Sequence, residues 1–243
     1  VVNDVSGNPY ADNPSGWRGL PAVVREIEEL GKGALGLVAD ISDSVQVDSM
    51  VSEAVERFGH IDILVNNAGS RPGRDRVPVV DLEEDAWDEV QRVNVKGTFL
   101  CSRAVGREMI ARGRGGKIIV ISSVGGKRGR ARFAAYCASK FALIGFTQSM
   151  ALELASHSIN VNAICPGLVE TERTDYIAAA LVPEGESLEE FQAQEALRRT
   201  QEIPLGRAAL GPDIARMAAF LASAESDYLT GLSISVSGGS FMD

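Results

Sequence analysis

Short apolar runs alternate along the chain with longer stretches whose apolar residues recur every three or four positions. The runs at 1–3, 35–39, 61–65, 117–121, 159–164 and 232–236 read as strands. Helical spacing covers about 21–30, 44–58, 85–112, 134–156 and 212–224. Within 44–58, Val47, Met50, Val51, Ala54, Val55 and Phe58 all fall at helical intervals. Turn residues punctuate the pattern: Gly31 and Gly113 end helices, and Cys165-Pro166-Gly167 ends a strand. A polar and helical insertion fills about 171–203, and no internal repeat or interdomain linker interrupts the chain.

Strands alternating with helices of ten or more residues predict one α/β domain over 1–243, a doubly wound parallel sheet with helices on both faces. In such a Rossmann-like sheet, ligands bind beyond the carboxyl ends of the strands. Each of those ends carries a distinctive residue or motif: Asp4, Asp40, Asn66 to Gly69, Ser123, and Pro166-Gly167. Their convergence on one sheet edge predicts a nucleotide site. Any one alone would be ordinary turn chemistry.

Composition narrows the classes. With 243 residues, 45% of them hydrophobic, the chain can bury a substantial core. A formal charge of −9 argues against a general nucleic-acid or anionic-membrane surface. The longest uncharged apolar run, 141–152, is too short to span a bilayer. Cys101, Cys137 and Cys165 are odd in number and lack metal-ligand spacing, so we expect no metal and read them as reduced thiols of a cytoplasmic protein.

The strongest chemical signal is Tyr136-Cys-Ala-Ser-Lys140, at i and i+4 of a predicted helix, which puts both side chains on one face. Ser123 lies thirteen residues before the Tyr, where the strand 117–121 gives way to a loop. A Lys ammonium one turn from a phenol favours the phenolate, and a Ser hydroxyl can orient a substrate oxygen beside it. Taken alone, the Tyr/Lys pair would be a routine helix-surface spacing.

Further motifs give it weight: Asp40-Ile41, Asn66-Asn67-Ala68-Gly69, Asn94 in Val-Asn-Val-Lys-Gly, Pro166-Gly167-x-x-x-Thr171, and the ending Tyr228-Leu-Thr-Gly231 with Val236-Ser-Gly-Gly239. In this order and spacing the chain resembles a short-chain dehydrogenase/reductase of the type with a Ser–Tyr–Lys centre and an added Asn. The resemblance runs from residue 1 to the C-terminus and is greatest to the bacterial 3-oxoacyl-carrier-protein reductase-like members. It implies an NAD(P)-dependent oxidoreductase acting on a secondary alcohol or ketone. Tyr136 would exchange a proton with the substrate oxygen, Ser123 would hold that oxygen, and Lys140 would bind the nicotinamide ribose. Asn94 would anchor a water that relays protons to Lys140. Asp40 would bond the adenine amine, with Ile41 near the ring and Asn67, Ala68 and Gly69 lining the adenosine side. Pro166 and Gly167 would pass close to the nicotinamide, Val169 would bond its carboxamide, and Thr171 would lie near the phosphates.

The resemblance also implies a first strand and a Gly-rich turn upstream of Val1, one βα unit that carries the pyrophosphate. Without that strand, the strands at 1–3 and 35–39 would not adjoin the one at 61–65. Gly115-Gly116 and Gly125-Gly126 do not open a helix directly after a strand and so cannot serve as that turn. Asp4 favours NAD over NADP, since a carboxylate there accepts ribose hydroxyls and repels a 2′-phosphate. Arg18, in the long loop 6–19, is the competing cation.

A lid is expected at about 172–203, with Tyr176, Ile177, Leu181 and Phe191 either lining the site or packing the lid itself. The run from Lys127 to Arg132 is either a solvated face or a steering surface for an anionic substrate. The helix at 134–156 is apolar most of the way round, which predicts a homotetramer or homodimer. The competing reading is a non-catalytic binding or scaffold relative, for which Asn94, Ser123, Tyr136 and Lys140 would serve no purpose.

Overall fold

The computed structural model describes residues 1–8 and 19–242. Arg18 and the tip of its loop fall outside the described residues. Strands and helices alternate as the hydrophobic pattern predicts: β1 (Val2–Asp4), α1 (Leu20–Glu29), β2 (Gly36–Val38), α2 (Ser44–Phe58) and β3 (Ile63–Asn66). There follow α3 (Glu84–Gln91), a π-helical stretch (Arg92–Gly97), α4 (Thr98–Arg112), β4 (Gly116–Ile121), α5 (Ala134–Leu154) and β5 (Ile159–Pro166). The chain then runs through α6 (Glu172–Leu181), α7 (Leu188–Gln201), α8 (Gly211–Ala222) and β6 (Ser233–Val236).

All the strand pairs are parallel. β3, β4, β5 and β6 lie side by side in that order, and β1 pairs with β2. Among the described residues the two groups share no ladder, so β1 and β3 do not adjoin, as the sequence leads one to expect.

Successive residues of β4 face opposite layers, because strand side chains alternate. Ile118 and Val120 pack with Val105 and Met109 of α4 and with Leu143 and Ala151 of α5. Ile119 instead joins Ile164 and Leu221, and Ile214 and Met217 of α8 pack against that cluster. Helices therefore cover both faces of the sheet, which is the doubly wound architecture. α2 is anchored to α4 through Val47, Leu100 and Cys101. Its start is set by the Asp43 carboxylate, which accepts from the Val45 and Gln46 N–H groups, and its end by Gly59 at φ 87°.

One predicted helix is not continuous. The stretch read as 85–112 divides into α3 and α4 around the π turn that holds Asn94. Such a turn widens the helix by one residue and is frequent at functional sites. Here it turns the Asn94 side chain into the protein, where it is fully buried.

Candidate active site

α5 delivers Tyr136 and Lys140 one turn apart, and β4 delivers Ser122 and Ser123 at its carboxyl end. Two hydrogen bonds join these elements. Lys140 Nζ donates to the Ile121 carbonyl at 2.8 Å, and Ser122 Oγ donates to the Lys140 carbonyl at 2.9 Å. Between them the chain makes a tight turn through Gly125-Gly126. A Cβ on Gly126 would stand 2.6 Å from the Lys140 carbonyl oxygen, and one on Gly125 would stand 3.2 Å from Tyr136 Cε1. The glycine pair is thus what lets the Ser123 turn close against α5.

Ser123 Oγ accepts the Gly125 N–H at 3.0 Å, which leaves its own proton free to donate. Among the described residues the Tyr136 hydroxyl makes no hydrogen bond to protein. Burial pushes the Lys140 ammonium down to about 7, and Arg173 works in the same direction.

Asn94 acts as a clip. Its Oδ1 accepts the Ser70 N–H at 2.8 Å and its Nδ2 donates to Ser139 Oγ at 2.9 Å. Ser139 in turn donates to the Tyr136 carbonyl at 2.7 Å. The loop after β3 and the first turn of α5 are therefore held by one amide. A Cβ on Gly69 would approach Asn94 Oδ1 to 3.2 Å, so the close approach depends on glycine there.

These groups open on a cleft of about 1060 Å³ along the carboxyl edges of the strands. Asp4, Asp40, Ile41, Asn67, Ala68, Gly69, Ser123, Tyr136, Lys140, Pro166, Gly167, Val169 and Thr171 all line it. Asn94 does not; it stands behind the lining, buried. Gly167 is confined by Ser237, whose Cα would lie 3.0 Å from an added Cβ, and its N–H bonds the Val236 carbonyl at 3.0 Å. Val169 is held by a bridge to Ala209. The Thr171 carbonyl accepts from Thr174 N and Oγ1, which fixes the start of α6.

Two carboxylates mark the other end. Asp4 Oδ1 accepts the Val5 N–H at 2.7 Å. Asp40 Oδ1 accepts from the Ser42 N–H and hydroxyl, and Oδ2 pairs with Arg92 at 2.9 Å. Burial alone would raise the Asp40 pKa, but the Ser42 bonds and Arg92 hold it below the usual carboxylate range. The glycine-bounded edge suits a dinucleotide: carboxylates for ribose or base, and backbone that a flat ring can approach.

The packing of α6 and α7 answers the choice left by the sequence. Ile177, Leu181 and Phe191 pack with Phe133, Tyr136 and Cys137, so they seat α6 and α7 on the start of α5, and only Ile177 also lines the cleft. Tyr176 stacks under Arg71 at 3.8 Å. Of the cations of 127–132, Arg128, Arg130 and Arg132 are exposed, yet three of the four cations in the run are also tied to the protein. Lys127 bonds the Ser233 carbonyl, Arg130 pairs with Glu195, and Arg132 bonds the Arg76 and Leu181 carbonyls. Sequence reasoning missed Arg76 and Arg173, which also line the cleft. Arg76 lies in an aperiodic loop and Arg173 at the start of the polar helical insertion, and nothing local distinguishes either from a surface arginine. The three cysteines are buried thiols, and burial pushes Cys101 up to about 11.

Residues 17–181 match the family model described as short chain dehydrogenase. The chain belongs to the short-chain dehydrogenase family. It is 40% identical over 228 residues to a sorbitol dehydrogenase of Cereibacter sphaeroides, covering 92% of this chain and 85% of that protein. It is 39% identical over 221 residues to a 3-oxoacyl-[acyl-carrier-protein] reductase of Staphylococcus aureus, covering 91% and 82%. Among solved structures, NAD⁺-bound xylitol dehydrogenase superposes with a TM-score of 0.81 at 31% identity, covering 90% of this chain and 84% of that one. A gluconate 5-dehydrogenase from Burkholderia cenocepacia, in complex with NADP and tartrate, gives 0.81 at 34% identity over 98% and 83%. Membership makes this chain an oxidoreductase of alcohol and ketone groups that uses a nicotinamide cofactor. No helix among the described residues is long and apolar enough to cross a membrane.

Proposed function

We propose that this short-chain dehydrogenase oxidises a secondary alcohol of a polyol or sugar derivative with NAD. The observation that carries the reading is a pair of hydroxyls: Ser123, with its proton free to donate, and Tyr136, unbonded, both lining one cleft with Lys140. A scaffold gains nothing from setting two such hydroxyls beside a buried amine.

In this reading the Ser123 hydroxyl donates to the carbinol oxygen, and Tyr136 takes the carbinol proton as general base. When bound, the nicotinamide accepts the hydride from the same carbon. Lys140, whose ammonium burial holds near 7, exchanges its proton at working pH and contacts the ribose. Asn94 keeps the first turn of α5 in place through Ser139. Ile41 and Asn67 to Gly69 would flank the adenosine, and Pro166, Gly167, Val169 and Thr171, which line the same cleft, would hold the nicotinamide and phosphates. Asp4 selects NAD, because its carboxylate suits ribose hydroxyls and repels a 2′-phosphate. For Asp40, the adenine contact would share a carboxylate already bonded by Ser42 and Arg92.

The chain works as a homodimer or homotetramer, since Phe99, Phe141 and Leu152 of α4 and α5 stand 41%, 47% and 84% exposed. Reduced thiols and the absence of any membrane-spanning helix among the described residues favour the cytoplasm.

Titration with NADH and with NADPH, following cofactor fluorescence, tests the reading. Binding of NADH at least about tenfold tighter than NADPH is expected. Binding of neither would favour the scaffold.

A further inference from the structure

Two arginines converge on the catalytic ring. Arg76, in the loop after β3, is 1% exposed, yet its bonding is incomplete: Nη1 pairs with Asp75, while the buried Nε has no partner. Its Cζ lies 4.4 Å from the centre of the Phe133 ring and 5.0 Å from that of Tyr136. Arg173, in the first turn of α6, brings its Cζ to 5.7 Å from the Tyr136 ring and donates to the Ser70 carbonyl at 2.8 Å. Lys140 Nζ stands 5.8 Å from the same ring. Among the described residues, three cationic side chains thus surround one phenol, and one carboxylate, Asp75, is paired with them. Arg173 opposes the charge of both Arg76 and Lys140. Crowding like charges away from water is costly unless an anion answers them.

We propose that Arg76 and Arg173 form an anion subsite beside Tyr136, so that the alcohol oxidised carries a carboxylate: a hydroxy acid of the sugar-acid class. This rests on the dehydrogenase reading above. Asp75 neutralises one of the two guanidinium charges, which leaves the arginine pair a net positive charge for a substrate anion to answer. The planar forks suit a carboxylate's two oxygens. The carboxylate itself is unchanged by the reaction. The carbinol C–H leaves as hydride to the nicotinamide, the O–H proton passes to Tyr136, and a keto acid results. Attraction between the acid and the arginines places the carbinol at the ring that takes its proton.

The test compares four- to six-carbon polyols with their aldonic acids, D-glucitol against D-gluconate first, with D-glucitol 6-phosphate, which carries a phosphate and no carboxylate, as a third arm and both cofactors. We expect kcat/KM to favour the carboxylate by at least about tenfold, and Arg173→Leu to cut that ratio about 10–100-fold through KM, with partial recovery in Arg173→Lys. If Arg173 only tuned the charge of Tyr136, the variant would move the pH profile for acid and polyol alike and leave the ratio intact; that result overturns the subsite. Turnover of polyols alone overturns it and spares the dehydrogenase reading. Preference for the phosphate ester overturns the carboxylate assignment. Turnover of neither class with either cofactor takes down both.

Discussion

Lys140 Nζ donates to the carbonyl of Ile121, the last residue of β4, at 2.8 Å, in a setting that burial makes hostile to its charge. The folded protein therefore holds this proton less tightly than the unfolded chain does. The ammonium titrates near 7 when folded and near 10.5 when exposed, so between those values the unfolded state binds more protons. Stability contributed at this site thus rises with pH from about 7 toward about 10.5, by at most about 1.4 kcal/mol per unit. Denaturant unfolding of the wild type and Lys140→Met at intervals between pH 6.5 and 10 checks this. The wild type should gain on the variant as pH rises; parallel curves would show that the ammonium is not desolvated.

Gly126→Ala should cost about 1–3 kcal/mol, because the new methyl meets backbone, the Lys140 carbonyl oxygen at 2.6 Å, and can be relieved only by parting the Ser123 turn from α5. Thermal unfolding reads the loss, and turnover should fall with it. The neighbouring surface position Gly129, where a Cβ would meet nothing within 4 Å, serves as the control.

Glu195 ties α7 to both its own helix and the loop before α5. It pairs with Arg199 at 2.6 Å and with Arg130 at 3.3 Å, and the hydrogen bonds from Arg198 and Arg199 hold its carboxyl down at about 2. Glu195→Ala should free α7 and raise the rate of proteolytic cleavage within 182–203 several-fold, with a change of under about 1 kcal/mol in global stability, as befits a partly exposed network. Unchanged cleavage would mean that the apolar seat of Ile177, Leu181 and Phe191 holds α6 and α7 alone.

The exposed face of α4 and α5 should bury itself against another copy. Sedimentation at micromolar concentration should give a dimer or tetramer, and Phe141→Glu together with Leu152→Glu should shift it toward monomer. A monomeric wild type would refute the assembly.

Sequence reading recovered elements wherever local chemistry closes them. α2 begins and ends at the expected residues, because Asp43 caps one end and Gly59 the other. The π turn was not legible, since its cause is distant: Asn94 is drawn inward by Ser70 and Ser139, 24 and 45 residues away. Every residue proposed for the cofactor lines the cleft, because each lies at a strand's carboxyl end, in the loop beyond it or on the helix such a loop leads into, whose place the parallel sheet dictates. Arg76 and Arg173 escaped notice for the opposite reason. The loop 70–78 has no period, and a guanidinium buried against aromatic rings has the same local sequence as a solvated one. The motifs report the family equally for a polyol dehydrogenase and an acyl-carrier-protein reductase at 40% and 39% identity, so they carry no substrate information.

The account turns on proton transfer by Tyr136 coupled to hydride transfer to the nicotinamide. The most direct measurement is formation of reduced nicotinamide by the wild type and by Tyr136→Phe, on the alcohol panel above, alongside cofactor affinity for both proteins. We predict turnover by the wild type, a loss of about 10²–10⁴-fold or more in the variant, and cofactor affinity within a few-fold, since only the proton-accepting hydroxyl is removed. Wild-type turnover that persists in Tyr136→Phe would contradict the account.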